Sequence, residues 1–318
     1  MGTLLVGWHA AAQEMDPAAW LLGQMLQTPF VVAPDEEPAD GDDASITFGN
    51  DTDAFAETVK VRYGERSVCT GVLVDLGHIL TAGHCGCARQ STYSVEFTVL
   101  KDDALHRFRG PIAAPPILYR SFDCARTAGE QPGRDLALLT IDIERDFRST
   151  DGQAVSIAEL GAGGEFGARP VAMTSMLAVY MTNAVRLRAV GYGKTEVGDF
   201  PVRRQQADIN ILSYFCSTGR AARSACASFR EFSLSNVIAP GVKPTDTCSG
   251  DSGGPIFVAR PEDAGPPAYA LVGITSRGLA GVQNLPALPC GGGGIYTAVG
   301  HSDVARWLAD NGAQVTFR

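Results

Sequence analysis

Short runs of alternating apolar and polar residues, punctuated by Gly and Asp, dominate the chain from Ile46 onward. Alternation with a period of two is typical of half-buried strands, and glycine and aspartate mark the turns between them. Near the end, Val304, Trp307 and Leu308 share one helical face. We therefore expect an all-β domain with a C-terminal helix over about 302–311. The predicted strands are Thr58–Tyr63, Thr70–Asp75, Val95–Leu100, Leu136–Ile143, Ala189–Gly191, Ile256–Ala259 and Ala270–Thr275.

The first 45 residues differ in composition from the rest of the chain. They contain no Lys or Arg, and six acidic residues fall within Asp35–Asp43. Such a composition is typical of chain that does not pack into a core. We expect 1–45 to be a poorly ordered pro- or export-type segment and 46–318 to be one folded domain. The Gly- and Ala-rich stretch Asp151–Pro170 suits a connection between two halves, at about 46–165 and 166–300.

Charge and hydropathy exclude two classes of partner. The formal net charge is -9, and no run of Lys and Arg provides a basic surface for nucleic acid. No stretch of 18 or more apolar residues occurs, which argues against a membrane span. We expect partners among proteins and peptides.

The cysteines indicate a redox compartment. Their even number in a Gly-rich, strand-rich chain predicts disulfides and export to an oxidising space, either secreted or periplasmic. The apolar N-terminus has no basic residue ahead of it and is a poor match to a signal peptide. Cys85-Gly-Cys87 lacks the spacing and the second pair of a zinc site, so we expect neither metal nor cofactor. The eight cysteines are Cys69, Cys85, Cys87, Cys124, Cys216, Cys226, Cys248 and Cys290.

The strongest chemical signal is the glycine-dense block DTCSGDSGGP, which runs from Asp246 to Pro255. A nucleophilic serine needs an exposed hydroxyl and converging backbone N–H groups, and glycine permits the backbone angles that such a turn requires. Ser252 is the candidate nucleophile, with the N–H groups of Gly250 and Ser252 as oxyanion donors. The alternative is an ordinary Gly/Ser turn.

A serine needs a base, and the base needs a group that orients it. His84 stands in LTAGHC, directly after an apolar run, and is the candidate base. Asp135 heads the apolar run DLALLTID, where a charge is costly unless it is hydrogen-bonded. It is the candidate orienting residue. The alternatives are a structural histidine and an aspartate that caps the start of a strand.

Six ordered blocks carry a resemblance to the trypsin/chymotrypsin family of serine proteases. The chain resembles that family from about Ile46 to Trp307, and the order His, Asp, Ser is the family's order. The resemblance implies two antiparallel, six-stranded-type β-barrels with the active site in the cleft between them. The blocks are TAGHC at 81–85, DLALL at 135–139, GYGKT at 191–195, CSGDSGGP at 248–255, GITSRG at 273–278 and GIYTAV at 294–299.

The resemblance also implies three disulfides. These are Cys69–Cys85, Cys216–Cys226 and Cys248–Cys290. Cys87 and Cys124 are left over, and their pairing is a hypothesis.

Specificity follows from the primary pocket of this family. The residue six before the nucleophile lies at the pocket floor, and here it is Asp246, which implies cleavage after Arg or Lys. Gly278 and Gly294 match the pocket walls, and Ser276 would offer backbone contacts to the substrate. Arg277 stands where the family commonly has Trp. The alternative for Asp246 is an acidic residue of a surface turn.

Activation departs from the family pattern. Members usually cut before Ile-Val-Gly-Gly, and the new ammonium pairs with the aspartate before the nucleophile, here Asp251. The partial match is Ile46-Thr-Phe-Gly49, preceded by Ser45, and no Lys or Arg occurs before Lys60. Self-cleavage of the trypsin type is therefore excluded. We expect another protease to cut at Ser45–Ile46, or the chain to be held active in another way.

Two other functions compete with a serine endopeptidase. A catalytically silent, protease-like binding protein usually lacks His, Asp or Ser, and all three are present here. An esterase of the α/β-hydrolase fold orders its residues Ser, Asp, His, which is the reverse of the order found.

Overall fold

The fold is described here from a computed structural model. It describes residues 46–64, 67–88, 93–161, 168–175, 186–195, 200–216, 224–236, 245–259, 269–279 and 290–317. All of them belong to the compact unit Asp42–Arg318. The segment 1–45 lies outside the described residues, and the predicted domain boundaries stay a prediction.

Strands dominate the described residues, and helices are few and short. The strands are β1 (Asn50–Thr52), β2 (Thr58–Tyr63), β3 (Ser67–Asp75), β4 (His78–Thr81), β5 (Tyr93–Lys101), β6 (Ala104–Pro111), β7 (Ile117–Leu118), β8 (Ala137–Thr140), β9 (Phe147–Ser149), β10 (Ala154–Val155), β11 (Ala172–Met173), β12 (Arg186–Gly191), β13 (Arg204–Ser213), β14 (Glu231–Leu234), β15 (Pro255–Ala259), β16 (Tyr269–Gly278), β17 (Gly294–Ala298) and β18 (Thr316–Phe317). The α-helices are α1 (Ile157–Leu160) and α2 (Ser302–Asp310), and 3-10 turns occupy His84–Cys87, Tyr119–Ser121 and Ala128–Glu130.

The first sheet has nine strands in the order β10-β9-β6-β5-β2-β3-β4-β8-β7. In β5, Val95, Phe97 and Val99 are at most 1% exposed and point into the core, because alternate side chains of a strand face the same side. A bridge between Ile112 and Ile141 joins the ends of β6 and β8. The six strands from β6 to β8 therefore curl back on themselves.

The second sheet contains a closed six-stranded barrel. Its order is β12-β13-β14-β17-β16-β15, and β15 pairs with both β16 and β12. The barrel strands pair antiparallel, whereas the short β11 pairs parallel to β16 and β18. α2 packs Val304 and Leu308 inward. The predicted all-β class with two barrels and a C-terminal helix is confirmed.

The first strand of the described chain belongs to the second sheet. β1 pairs with β13 of the second sheet, although the prediction grouped this part of the chain with the first barrel. Just before β1, Ile46 is fully buried in the core of the second sheet. Burial of that side chain ties the start of the domain to the barrel that carries Ser252.

The structure contains four disulfides. They join the same partners as the three pairs implied by the resemblance and the pair left over: Cys69–Cys85, Cys87–Cys124, Cys216–Cys226 and Cys248–Cys290. They favour an oxidising compartment. Among the described residues, no helix is long and apolar enough to span a membrane.

Candidate active site

His84 and Asp135 are brought together by the pairing of β4 with β8. Thr81, the last residue of β4, lies opposite Ala137, the first residue of β8. His84 follows β4 by three residues, and Asp135 precedes β8 by two. Gly83 permits the close approach, because a Cβ there would lie 3.1 Å from Asp135 Oδ1 and 3.0 Å from the ring of Phe122.

Asp135 holds the imidazole and the backbone of His84 at once. The His84 N–H donates to Asp135 Oδ1 at 2.9 Å, and His84 Nδ1 lies 3.1 and 3.0 Å from Oδ1 and Oδ2. The Asp135 side chain is fully buried, whereas that of His84 is 34% exposed. This leaves the other ring nitrogen, Nε2, as the one that can exchange a proton with a substrate or a hydroxyl.

The two groups shift each other's pKa. Burial favours neutral forms and acts to raise the pKa of Asp135, but the hydrogen bonds and charge of His84, with a bond from Ser276, lower it overall. Burial acts to lower the pKa of His84, but the hydrogen bond and charge of Asp135 outweigh it and raise the pKa above 6.5. The pair is therefore an anion beside a strengthened base.

The turn that carries Ser252 is braced by the first sheet. Thr70 on β3 donates its N–H to the Ser252 carbonyl at 2.8 Å and its hydroxyl to the Gly250 carbonyl at 2.9 Å. Gly250 and Gly253 have φ values of 104° and 83°, which favour glycine. A Cβ on Gly253 would also collide with Thr81 and Ala82, so the turn sits directly against the end of β4, three residues from His84.

The backbone N–H groups of this turn are available to bind an anion. Among the described residues, the N–H groups of Gly250 and Ser252 donate to no other group, and neither does the Ser252 hydroxyl. The structure thus has no hydrogen bond between Ser252 and His84. Bonds of this kind are often long without substrate and tighten in the complex.

Asp246 lies in a pocket of about 270 Å³ that also contains Ser252. Its side chain is almost completely buried, and Oδ2 accepts the N–H groups of Gly291 and Gly293 at 3.1 and 2.8 Å. Oδ1 is buried without a hydrogen-bond partner among the described residues. Burial raises the pKa of this carboxyl to about 6. An unsatisfied buried acceptor is costly, so the pocket favours a ligand that brings a donor, above all a cationic one.

The predicted pocket walls are only partly the residues that line it. Gly278 lines the pocket, together with Gly292 and Gly293. Gly294 pairs with Gly278 across β17 and β16, and a Cβ there would lie 2.6 Å from the Tyr296 hydroxyl. Gly294 thus makes room for Tyr296, and Gly293 stands nearer to the pocket.

Asp251 is buried next to Ser252 in the same turn. It accepts the N–H groups of Gly193 and Cys248 at 2.7 and 2.8 Å, and burial raises its pKa to about 7. No described residue forms an ion pair with it. Close by in the fold, the Asp246 N–H donates to the Thr47 carbonyl at 3.3 Å, so the chain next to Ile46 lies against the pocket segment.

Two contacts of the site are absent from the sequence prediction. The Ser276 hydroxyl donates to Asp135 Oδ2 at 2.6 Å, whereas only backbone contacts with substrate were expected of this residue. Arg277 pairs with Glu231, a residue 46 positions away that no motif singled out. Neither contact has a local sequence signal.

Two β-barrels with His, Asp and Ser near their junction define the class of serine proteases. The chain belongs to the Trypsin family, which it matches over residues 46–307. The chain is therefore a member of a family of hydrolases that act on protein substrates.

Curated relatives are distant. The chain is 25% identical over 288 residues to phenoloxidase-activating factor 3 of Holotrichia diomphalia, covering 85% of this chain and 73% of that protein. It is 31% identical over 116 residues to phenoloxidase-activating factor 1 of that organism, covering 36% and 28%. It is 24% identical over 267 residues to tissue-type plasminogen activator of Rattus norvegicus, covering 78% and 40%. The matches thus span less than half of the last two proteins.

Proposed function

We propose that the chain is a serine endopeptidase that hydrolyses peptide bonds through an acyl-enzyme. The observation that supports this most is the buried Asp135 bonded to a partly exposed His84, next to a braced turn with two unused N–H groups. These are the base, the orienting group and the anion site that acyl transfer needs.

The proposed reaction has two halves. His84 takes the proton of Ser252 as the oxygen attacks the substrate carbonyl, and Asp135 stabilises the imidazolium that forms. The N–H groups of Gly250 and Ser252 receive the oxyanion. His84 then gives the proton to the leaving amine, and an acyl-enzyme remains. Water, deprotonated by His84, attacks the ester carbonyl. The bond to the Ser252 oxygen then breaks, His84 returns the proton to that oxygen, and the carboxylic acid product leaves.

We propose cleavage after Arg or Lys. The unpartnered Oδ1 of Asp246 at the pocket supports this, because a guanidinium or ammonium would supply both the missing donor and the opposite charge. The test is cleavage of a peptide library by protein that begins at Ile46. Cleavage after apolar or acidic residues would refute the proposed specificity.

The pH profile provides a test of the base. Because the pKa of His84 is raised, we expect the acidic limb of kcat/KM to have its midpoint above 6.5. Activity needs neutral His84, so it is lost as the pH falls through that midpoint. The measurement is kcat/KM from pH 5 to 9 on a substrate with an uncharged residue before the scissile bond, which keeps Asp246 out of the profile. A midpoint clearly below 6.5 is inconsistent with this assignment.

We propose that cleavage at Ser45–Ile46 by a separate protease activates the chain, which is made as a zymogen in a secreted or periplasmic setting. Buried Asp251, which has no ion-pair partner in the described parts of the chain, supports this, since a new Ile46 ammonium could neutralise it. Pairing would hold Asp251, which lies between the two oxyanion donors, and so add a second support to the turn that Thr70 braces.

Activation can be tested by replacing 41–45 with a recognition sequence for a protease that cuts immediately before Ile46. We expect cutting to raise kcat/KM by about 10²–10³-fold, the usual worth of an oxyanion donor. The same cut in an Asp251→Asn variant should give little increase. Equal activity of cut and uncut protein would argue for a chain that is held active in another way.

A further inference from the structure

The Arg277 side chain connects the cleft to a buried carboxylate on another strand. Arg277 is the next-to-last residue of β16 and lines the pocket with Ser252 and Asp246. Its Nη1 and Nη2 donate to Glu231 Oε1 and Oε2 at 2.7 and 2.9 Å. The side chains of Arg277 and Glu231 are 14% and 0% exposed. Two parallel bonds fix the guanidinium in orientation as well as in position.

Glu231 is saturated by donors, which makes it a rigid anchor. Besides Arg277, it accepts the Gly133 N–H on Oε1 at 2.8 Å and the Ala227 N–H on Oε2 at 2.9 Å. Four donors offset the cost of burying the charge. Gly133 lies two residues before Asp135, so Glu231 also holds the segment that leads to Asp135.

The same guanidinium also contacts Ser276, the residue whose hydroxyl donates to Asp135. Arg277 Nη1 lies 3.3 Å from Ser276 Oγ, and a guanidinium can only donate. Ser276 therefore accepts from Arg277, and its single proton is left for Asp135 Oδ2 at 2.6 Å. Asp135 in turn accepts from His84. The charged groups along this chain of contacts are Glu231, Arg277, Asp135 and His84.

We infer that Arg277, held by Glu231, is a positioning residue for the Asp135–His84 pair. This inference rests on the proposed function, in which that pair supplies the base. By donating to Ser276 Oγ, Arg277 orients the hydroxyl that donates to Asp135, and its positive charge favours ionised Asp135 and opposes a second positive charge on His84. Loss of the two parallel Arg277–Glu231 bonds makes the position of Asp135 less fixed. Loss of the Arg277 charge raises the pKa of His84.

Two variants separate geometry from charge. Arg277→Lys keeps the positive charge, but an ammonium lacks the planar set of donors that hydrogen-bonds both Glu231 oxygens and Ser276 at once. The double variant Arg277→Gln with Glu231→Gln removes both charges together, so that no buried carboxylate is left unpaired. The matched control is Arg188→Gln with Asp208→Asn, which removes a fork of 2.8 and 3.0 Å on the second sheet.

We expect kcat to fall roughly tenfold in both test variants, the worth of one good hydrogen bond, with KM changed less than about threefold. Titration of the His84 imidazole by NMR should show its pKa raised in the double variant, by no more than about 0.3 unit. The lost positive charge of Arg277 lies nearer Asp135, through Ser276, than the lost negative charge of Glu231, which offsets part of the shift. The pKa should stay near the wild-type value in Arg277→Lys. The control should match wild type in kcat and in the pKa of His84.

The two readouts keep this inference apart from the proposed function. The pKa of His84 can be measured by NMR without any catalysis. A wild-type protein that binds peptide but never cleaves it therefore refutes the proposed function alone. In that case the His84 pKa values of the variants decide the inference. Folded variants with wild-type kcat and wild-type His84 pKa overturn it. So does a rise in KM alone, which would make Arg277 a substrate contact. If the double variant does not fold, Arg277→Lys decides: a fall in kcat at constant KM supports the inference, and an unchanged kcat overturns it.

Discussion

Ser252→Ala is expected to lower kcat by about 10⁶-fold in protein that begins at Ile46. The reason is that the acyl-enzyme cannot form without the Ser252 oxygen, while His84 and the two backbone N–H groups remain. The residual rate should still exceed that of water alone, roughly 10³–10⁴-fold, through binding and oxyanion stabilisation. The measurement is steady-state hydrolysis of a peptide with Arg before the scissile bond.

A matched serine on the other sheet provides the control. Ser149→Ala changes a residue of β9 that has no part in the proposed site, and it should retain wild-type kcat. Melting curves of both variants show whether the fold is kept. A folded Ser252→Ala variant that still cleaves within tenfold of wild type would refute this serine as the nucleophile.

Asp246→Asn should lower kcat/KM for substrates with Arg or Lys before the scissile bond by about 10⁴-fold, because the substrate cation would lose the one carboxylate among the described residues that line the pocket. The asparagine amide keeps the shape of the carboxylate but presents no negative charge at the position of Oδ1. For substrates with a small uncharged residue before the scissile bond, we expect a change of less than about tenfold. The measurement is the ratio of kcat/KM for the two substrate types.

Asp310→Asn is the control for long-range charge, since it removes one negative charge at the end of α2. It should leave the Arg-to-uncharged ratio as in wild type. If Asp246→Asn left the ratio of kcat/KM for Arg and uncharged substrates unchanged, the Asp246 carboxylate would not be the group that selects basic residues.

Much of the fold could be predicted from alternation and from short apolar runs. The alternating strand Tyr93–Lys101 and the apolar strand Pro255–Ala259 are found within a few residues of the predicted bounds. β13 was missed, because Arg204 and Gln205 at its start are typical of a polar surface, yet both are buried. Arg204 is accommodated by donating to the Ala54 and Thr98 carbonyls, which are far away in sequence.

The candidate site divides in the same way. His84, Asp135 and Ser252 each stand in a local motif, so their grouping could be predicted from the sequence alone. The supports of that grouping come from distant chain segments. Thr70 braces the Ser252 turn across 180 residues, and Ser276 reaches Asp135 across 141. Contacts of this kind follow from how the two sheets pack, and no local pattern contains them.

The most direct test of the account is covalent labelling of protein that begins at Ile46 with a serine-directed fluorophosphonate, followed by peptide mass mapping. The account predicts one adduct, on Ser252, which disappears in His84→Ala and in protein unfolded before labelling. An intact, folded protein that takes up no label, or carries it on another serine, would contradict a serine endopeptidase built on His84, Asp135 and Ser252.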